Sequence, residues 1–162
     1  MGLFSFIKNA GAKLIGAKTD EQKEAERLAA EEAAHDKVEA ALTNMVTQLG
    51  LGVDNLSISY DGSTATISGE ANSSADREKI IVAIGNVDGV NSVNDQMTVD
   101  AVADAELEAQ FYEVERGDTL SGISKKFYGT ANRYNEIFHA NEPMLSHPDK
   151  IYVGQVLRIP NA

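Results

Sequence analysis

At 162 residues the chain is long enough for one mid-sized domain or two small ones, and its lack of cysteine excludes disulfides and thiolate metal sites. The three histidines (His35, His139 and His147) form no HExxH pattern, which argues against a zinc enzyme. Residues 112–162 balance six acidic against six basic side chains, so the whole net charge of −11 lies in residues 1–111, a sign that repels phosphate backbones and sets nucleic acid aside as a partner.

Residues 2–16 predict a short amphipathic helix, with Leu3, Phe6, Ile7, Ala10 and Leu14 recurring at spacings of three and four. Gly11 interrupts it and Gly16 can end it. With three lysines in the first eighteen residues, the segment reads as docking on the rest of the protein or as weak membrane-surface contact. No stretch reaches 18 apolar residues, no long apolar run follows a basic start, and Phe6 stands where a myristoylation motif needs Ser or Thr. A cytoplasmic location without a membrane span is therefore expected. Thr19 then caps a second helix, with Gln22 three residues on. Leu28, His35, Val38, Leu42, Met45 and Leu49 make its stripe, diluted by Glu31 and Glu32. The first half predicts a solvated Glu/Ala-rich arm, the second half packs, and Gly50 and Gly52 end it.

Residues 55–71, NLSISYDGSTATISGEA, alternate in two runs around Asp61-Gly62, a hairpin signal. Leu56, Ile58 and Tyr60 face one way, with Ala65 and Ile67 opposite them. A helix follows, capped by Ser73 or Ser74, with Ile80, Ile81, Ile84 and Val87 as its apolar face. A strand through Val93, Met97 and Val99 completes the order helix, strand, strand, helix, strand. That order, Gly69 after the second strand, the Gly89-Val90 turn and the Asn94-Asp95 pair resemble the BON domain, a small α+β module often assigned to phospholipid or envelope contact.

Residues 101–110 carry no apolar stripe and read as a linker. Beyond it, Tyr112 and Val114 suit a strand, Gly117-Asp118 a turn, Thr119 to Phe127 a helix with Leu120, Ile123 and Phe127 inside, and Ala131 to Ala140 a second helix with Tyr134, Ile137 and Phe138 packing. Residues 154–160, GQVLRIP, close a two-stranded sheet. Tyr128-Gly129, Asn141, Ile151 and Leu157-Arg158-Ile159-Pro160 complete a pattern that resembles LysM. The expected fold class is thus α+β, with two small domains and an N-terminal helical segment: residues 1–34, a BON domain (α-β-β-α-β) over 35–100, the linker, and a LysM domain (β-α-α-β) over 111–162.

No catalytic constellation is visible: Ser121, Ser124 and Ser146 lack a GxSxG setting, and the segments rich in glycine or oxygen side chains match neither a P-loop nor an EF-hand. The protein is expected not to be an enzyme. A LysM groove, by resemblance, maps to Asp118, Thr119, Leu120 and Ser121 facing Asn141, Met144, Leu145, Ile151 and Tyr152. These residues also build the core, so glycan binding is the weaker expectation.

The arrangement as a whole, a leading GLFSFIKNAG, one BON domain and one LysM domain, resembles the bacterial cytoplasmic potassium-binding proteins; the Glu/Ala-rich arm is the departure. The resemblance implies a monomeric sensor or buffer for K⁺, with the ion on the backbone carbonyls of Ile7, Ala10, Gly11, Gly85, Val87 and Val90 and with its binding compacting the two domains. The chemistry permits this. K⁺ is large and singly charged and is best dehydrated by neutral carbonyls, whereas a carboxylate cluster favours smaller or divalent ions. Carbonyls become free at helix ends and glycine turns, and both Ala10-Gly11 and the IGNVDGV segment are such places; a plain helix cap and turn is the other reading of the same residues. An envelope-associated module binding peptidoglycan through LysM and lipid through BON is the alternative function, and a protein-interaction adaptor the third.

Overall fold

The computed structural model describes residues 19–99 and 109–161. The helix expected over residues 2–16, and the linker apart from its last two residues, lie outside the described residues. The chain forms two compact units that divide between Lys37 and Val38.

In the first unit the described chain is the opening of helix α1 (Asp20–Leu49). Its start is a reciprocal capping box: Thr19 Oγ1 accepts from the Gln22 N–H at 3.2 Å, and Gln22 Oε1 accepts from the Thr19 N–H at 3.0 Å. Up to Lys37 its side chains are largely exposed, Leu28 at 53% included. Arg27 bridges Glu24 at 2.7 Å and Glu31 at 3.5 Å, solvated pairs that add little to stability. The solvated arm expected from the sequence is present.

In the second unit, α1 contributes Leu42 and Val46 to a core shared with a three-stranded sheet and a helix. Strands β1 (Val53–Tyr60) and β2 (Thr64–Ala71) pair antiparallel, with Ile58 opposite Ile67 and Tyr60 opposite Ala65. The turn between them is held by Asp61, whose Oδ1 accepts from the N–H groups of Ser63 at 3.0 Å and Thr64 at 2.7 Å. Those two donors keep the Asp61 carboxyl below its ordinary value. Helix α2 (Ser74–Gly85) then crosses to β3 (Ser92–Val99), which lies parallel to β2. Ser73 caps α2, accepting from the Asp76 N–H at 3.1 Å. Asp95, one of the BON-like marks, receives Arg77 at 2.6 Å and so ties α2 to β3.

Gly69 has a geometric reason. Its φ is +147°, and a Cβ there would sit 2.9 Å from the Asp54 carbonyl oxygen and 3.2 Å from Leu56 Cα. Both neighbours are backbone, so neither can swing away. Gly69→Ala is expected to destabilise the chain by about 1–3 kcal/mol, read from the urea midpoint at unchanged slope.

The C-terminal part carries β4 (Gln110–Glu113), α3 (Leu120–Tyr128), a 3₁₀ turn (Ala131–Arg133), α4 (Tyr134–Ala140) and β5 (Val156–Ile159), which pairs antiparallel with β4. Its core is built on Val114, Leu120, Ile123, Ile137, Leu145, Leu157 and Ile159. The helix expected over 131–140 divides into the 3₁₀ turn and α4. Thr130 caps the turn through Asn132 at 3.4 Å, and a tightened first turn is a common way to open a helix.

Candidate ion-binding turn and the strand behind it

Helix α2 ends at Gly85, and residues 86–91 bend back into β3. The three expected ligand positions among the described residues, Gly85, Val87 and Val90, therefore lie in one turn. The Val87 carbonyl accepts the Val90 N–H at 3.0 Å, leaving one lone pair. No hydrogen bond to the carbonyls of Gly85 or Val90 is found among the described residues. The Gly89 carbonyl, by contrast, receives the Tyr60 hydroxyl at 2.8 Å, and Gly89 itself sits at φ +95°. The turn faces an open, mainly polar recess of about 330 Å³, lined on the other side by Tyr152, Val153 and Gly154. Ile7, Ala10 and Gly11, the remaining expected ligands, lie outside the described residues.

The recess has a second wall because α2 packs on two sides. The expected face, Ile80 and Ile84, meets the sheet, but Val82, Ala83 and Glu78 are also buried. Glu78 pairs with Arg158 of β5, both under a tenth exposed, and its other oxygen accepts the Ala109 N–H at 2.9 Å. Eight residues further on, Asn86 reaches the same strand. Its Oδ1 accepts from the Val156 N–H at 2.8 Å and its Nδ2 donates to the Val156 carbonyl at 3.0 Å, to Val82 O at 2.9 Å and to Met144 Sδ at 3.4 Å. Asn141 treats Arg158 in the same way: Oδ1 accepts its N–H at 2.8 Å and Nδ2 donates to its carbonyl at 2.8 Å. Two carboxamides thus occupy the edge of β5 that β4 leaves open, standing in for a third strand.

The expected glycan groove is a mixture of open and committed groups. Asp118 accepts the Tyr112 hydroxyl at 2.7 Å and the Glu115 N–H at 2.9 Å; these donors, the backbone one foremost, hold its carboxyl below the ordinary range. Thr119 caps α3 through the Gly122 N–H at 3.1 Å, and Ser121 is half-buried. Leu120 and Asn141 are buried, Ile151 packs against the core, and Tyr152 is 54% exposed.

Sequence reasoning missed Asn86 and Glu78. A continuous apolar run, IIVAIG, was the available signal for Val82 and Ala83, because a helical stretch that is apolar all round is buried all round.

Comparison with known proteins agrees with this architecture. Residues 112–160 match the LysM domain and residues 30–101 the BON domain. The chain is 45% identical over 163 residues to the potassium binding protein Kbp of Escherichia coli O6:H1, covering 99% of each chain. It is also 47% identical over 49 residues to an uncharacterized protein of Deinococcus radiodurans, a match covering 30% of this chain and 19% of that one. With helix, sheet and LysM elements in the expected order and near-complete coverage of a relative at this identity, the chain belongs to the family of the potassium binding protein Kbp.

Proposed function

We propose that the protein is a non-enzymatic, cytosolic K⁺-binding protein, a sensor or buffer, in which the carbonyls of Gly85, Val87 and Val90 supply ion ligands and binding compacts the BON and LysM domains. The observation that carries the reading is the 45% identity, along essentially the whole chain, to a relative named for potassium binding. The turn supports it: neutral oxygens at a helix end, beside a polar recess, are the donor type that suits a large monovalent ion. The recess is walled by both domains, so an ion there favours their closed arrangement and shifts the population toward it. Cytosolic K⁺ would then set the protein's shape.

Thermal melts in matched KCl, NaCl and LiCl test this. At K⁺ one hundred times its dissociation constant, linkage adds about 2.7 kcal/mol, a rise of roughly 5–10 °C for a chain of this size. Equal midpoints in the three salts would overturn the reading.

The LysM match and the exposed Tyr152 and Val153 beside the groove favour one alternative, an envelope-associated module that binds peptidoglycan, with BON on phospholipid. Retention on insoluble peptidoglycan, with salt melts that coincide, would establish it instead.

A further inference from the structure

We infer that Asn86 is the positioning residue of the K⁺ turn, clamping it to Val156 of the LysM strand and so fixing the spacing of the carbonyls on either side; the inference rests on the K⁺ reading above. Asn86 lies between two expected ligands, Gly85 and Val87. As the residue that ends α2 (φ −89°, ψ 3°), its own N–H bonds Val82 O at 3.1 Å. Its side chain then takes both polar groups of the Val156 backbone. A lone helix cap needs none of those last bonds. They bind the turn, through this one residue, to a strand seventy positions away in sequence.

The consequence is mechanical. Selecting the larger ion asks that the carbonyls not close upon a smaller one. The short segment 85–91 has little means of resisting collapse by itself, since two of its carbonyls carry no internal hydrogen bond among the described residues. β5 is rigid by comparison: it is paired to β4 and its other edge is held at Arg158 by Asn141. Through Asn86 the turn borrows that rigidity. The LysM domain then acts as the frame for an ion site whose ligands lie outside it.

Calorimetric titration of the full chain, stripped of K⁺, with KCl and with NaCl is the test, on the wild type, Asn86→Ala and Asn86→Asp. Asn86→Ala is expected to weaken K⁺ binding about tenfold, within the usual span of site-to-site coupling, while Na⁺ binding changes by less than about twofold, so that discrimination narrows. Equal weakening for both ions would show a general loss of structure and overturn the assignment, as would a variant indistinguishable from the wild type. Should the alanine variant fail to fold, Asn86→Asp carries the test. It keeps the acceptor for the Val156 N–H but sets a carboxylate against two carbonyls and adds a charge that attracts any cation. Narrowed discrimination supports the inference; tighter uptake of both ions at unchanged discrimination sinks it. A wild type that takes up no K⁺ overturns the function itself, and this inference with it, whereas a wild type that binds K⁺ beside unaffected variants overturns the inference alone.

Discussion

Arg158→Met is expected to lower the unfolding free energy by about 3–5 kcal/mol. Arg158 is 5% exposed and Glu78 7%, and the guanidinium Nε donates directly to the carboxylate. Removing the cation leaves an anion in a dry interface, with the Ala109 N–H as its remaining partner of those described above. The cost is that of the stranded charge rather than of the pair's own net contribution, and the two are separable. A double variant, Glu78→Leu with Arg158→Met, removes both charges and should recover most of the loss, because well-packed apolar groups often replace a buried ion pair without penalty. Urea unfolding of the three proteins decides it. A single variant that loses under about 1 kcal/mol would mean that the interface opens to water and that α2 and β5 are not firmly docked. The same result would weaken the case for LysM as a frame.

The local elements were legible because their signals are local. Thr19 with Gln22, a serine cap at Ser73 or Ser74 and the Asp61-Gly62 turn all act over three residues or fewer, and the structure has all three, with Ser73 as the serine that caps. The division of α1 into a wet and a dry half was also readable, from Glu31 and Glu32 interrupting the stripe. Val46 was not placed in that stripe, since Met45 satisfies the same spacing; the structure buries Val46 fully and Met45 partly. What escaped was the junction. Glu78 and Arg158 stand eighty residues apart, and Asn86 and Val156 seventy. An asparagine after a helix reads as an ordinary cap, and a glutamate on a helix reads as surface. Neither residue type signals that a second domain will cover it. The segment holding Gly85, Val87 and Val90 was legible as a glycine-flanked helix end, but its relation to β5 lies on the level of packing, which no window along the chain contains.

Asn141→Leu carries the second large expectation. The replacement keeps the branched shape and heavy-atom count and opens no cavity, so the loss comes from hydrogen bonds, with the bulkier methyl groups adding some crowding. Asn141 is 2% exposed and its carboxamide makes three bonds: to Ile137 O at 2.7 Å, to Arg158 O at 2.8 Å and from the Arg158 N–H at 2.8 Å. The Arg158 N–H and carbonyl face away from β4, so no strand partner takes them over. Two buried groups left without partners cost about 2–6 kcal/mol together. Thr119→Ala, which removes an exposed helix cap nearby, should cost only about 1 kcal/mol and serves as the comparison. Chemical denaturation of both variants gives the ratio. If Asn141→Leu proves no worse than Thr119→Ala, the β5 edge is being satisfied by water and the two-asparagine account fails. If the large loss is found, the buried carboxamide is committed to the strand, and any fall in glycan retention by this variant reflects unfolding. The K⁺ response should weaken too, since the strand that Asn141 holds at Arg158 is the one that Asn86 grips two residues earlier.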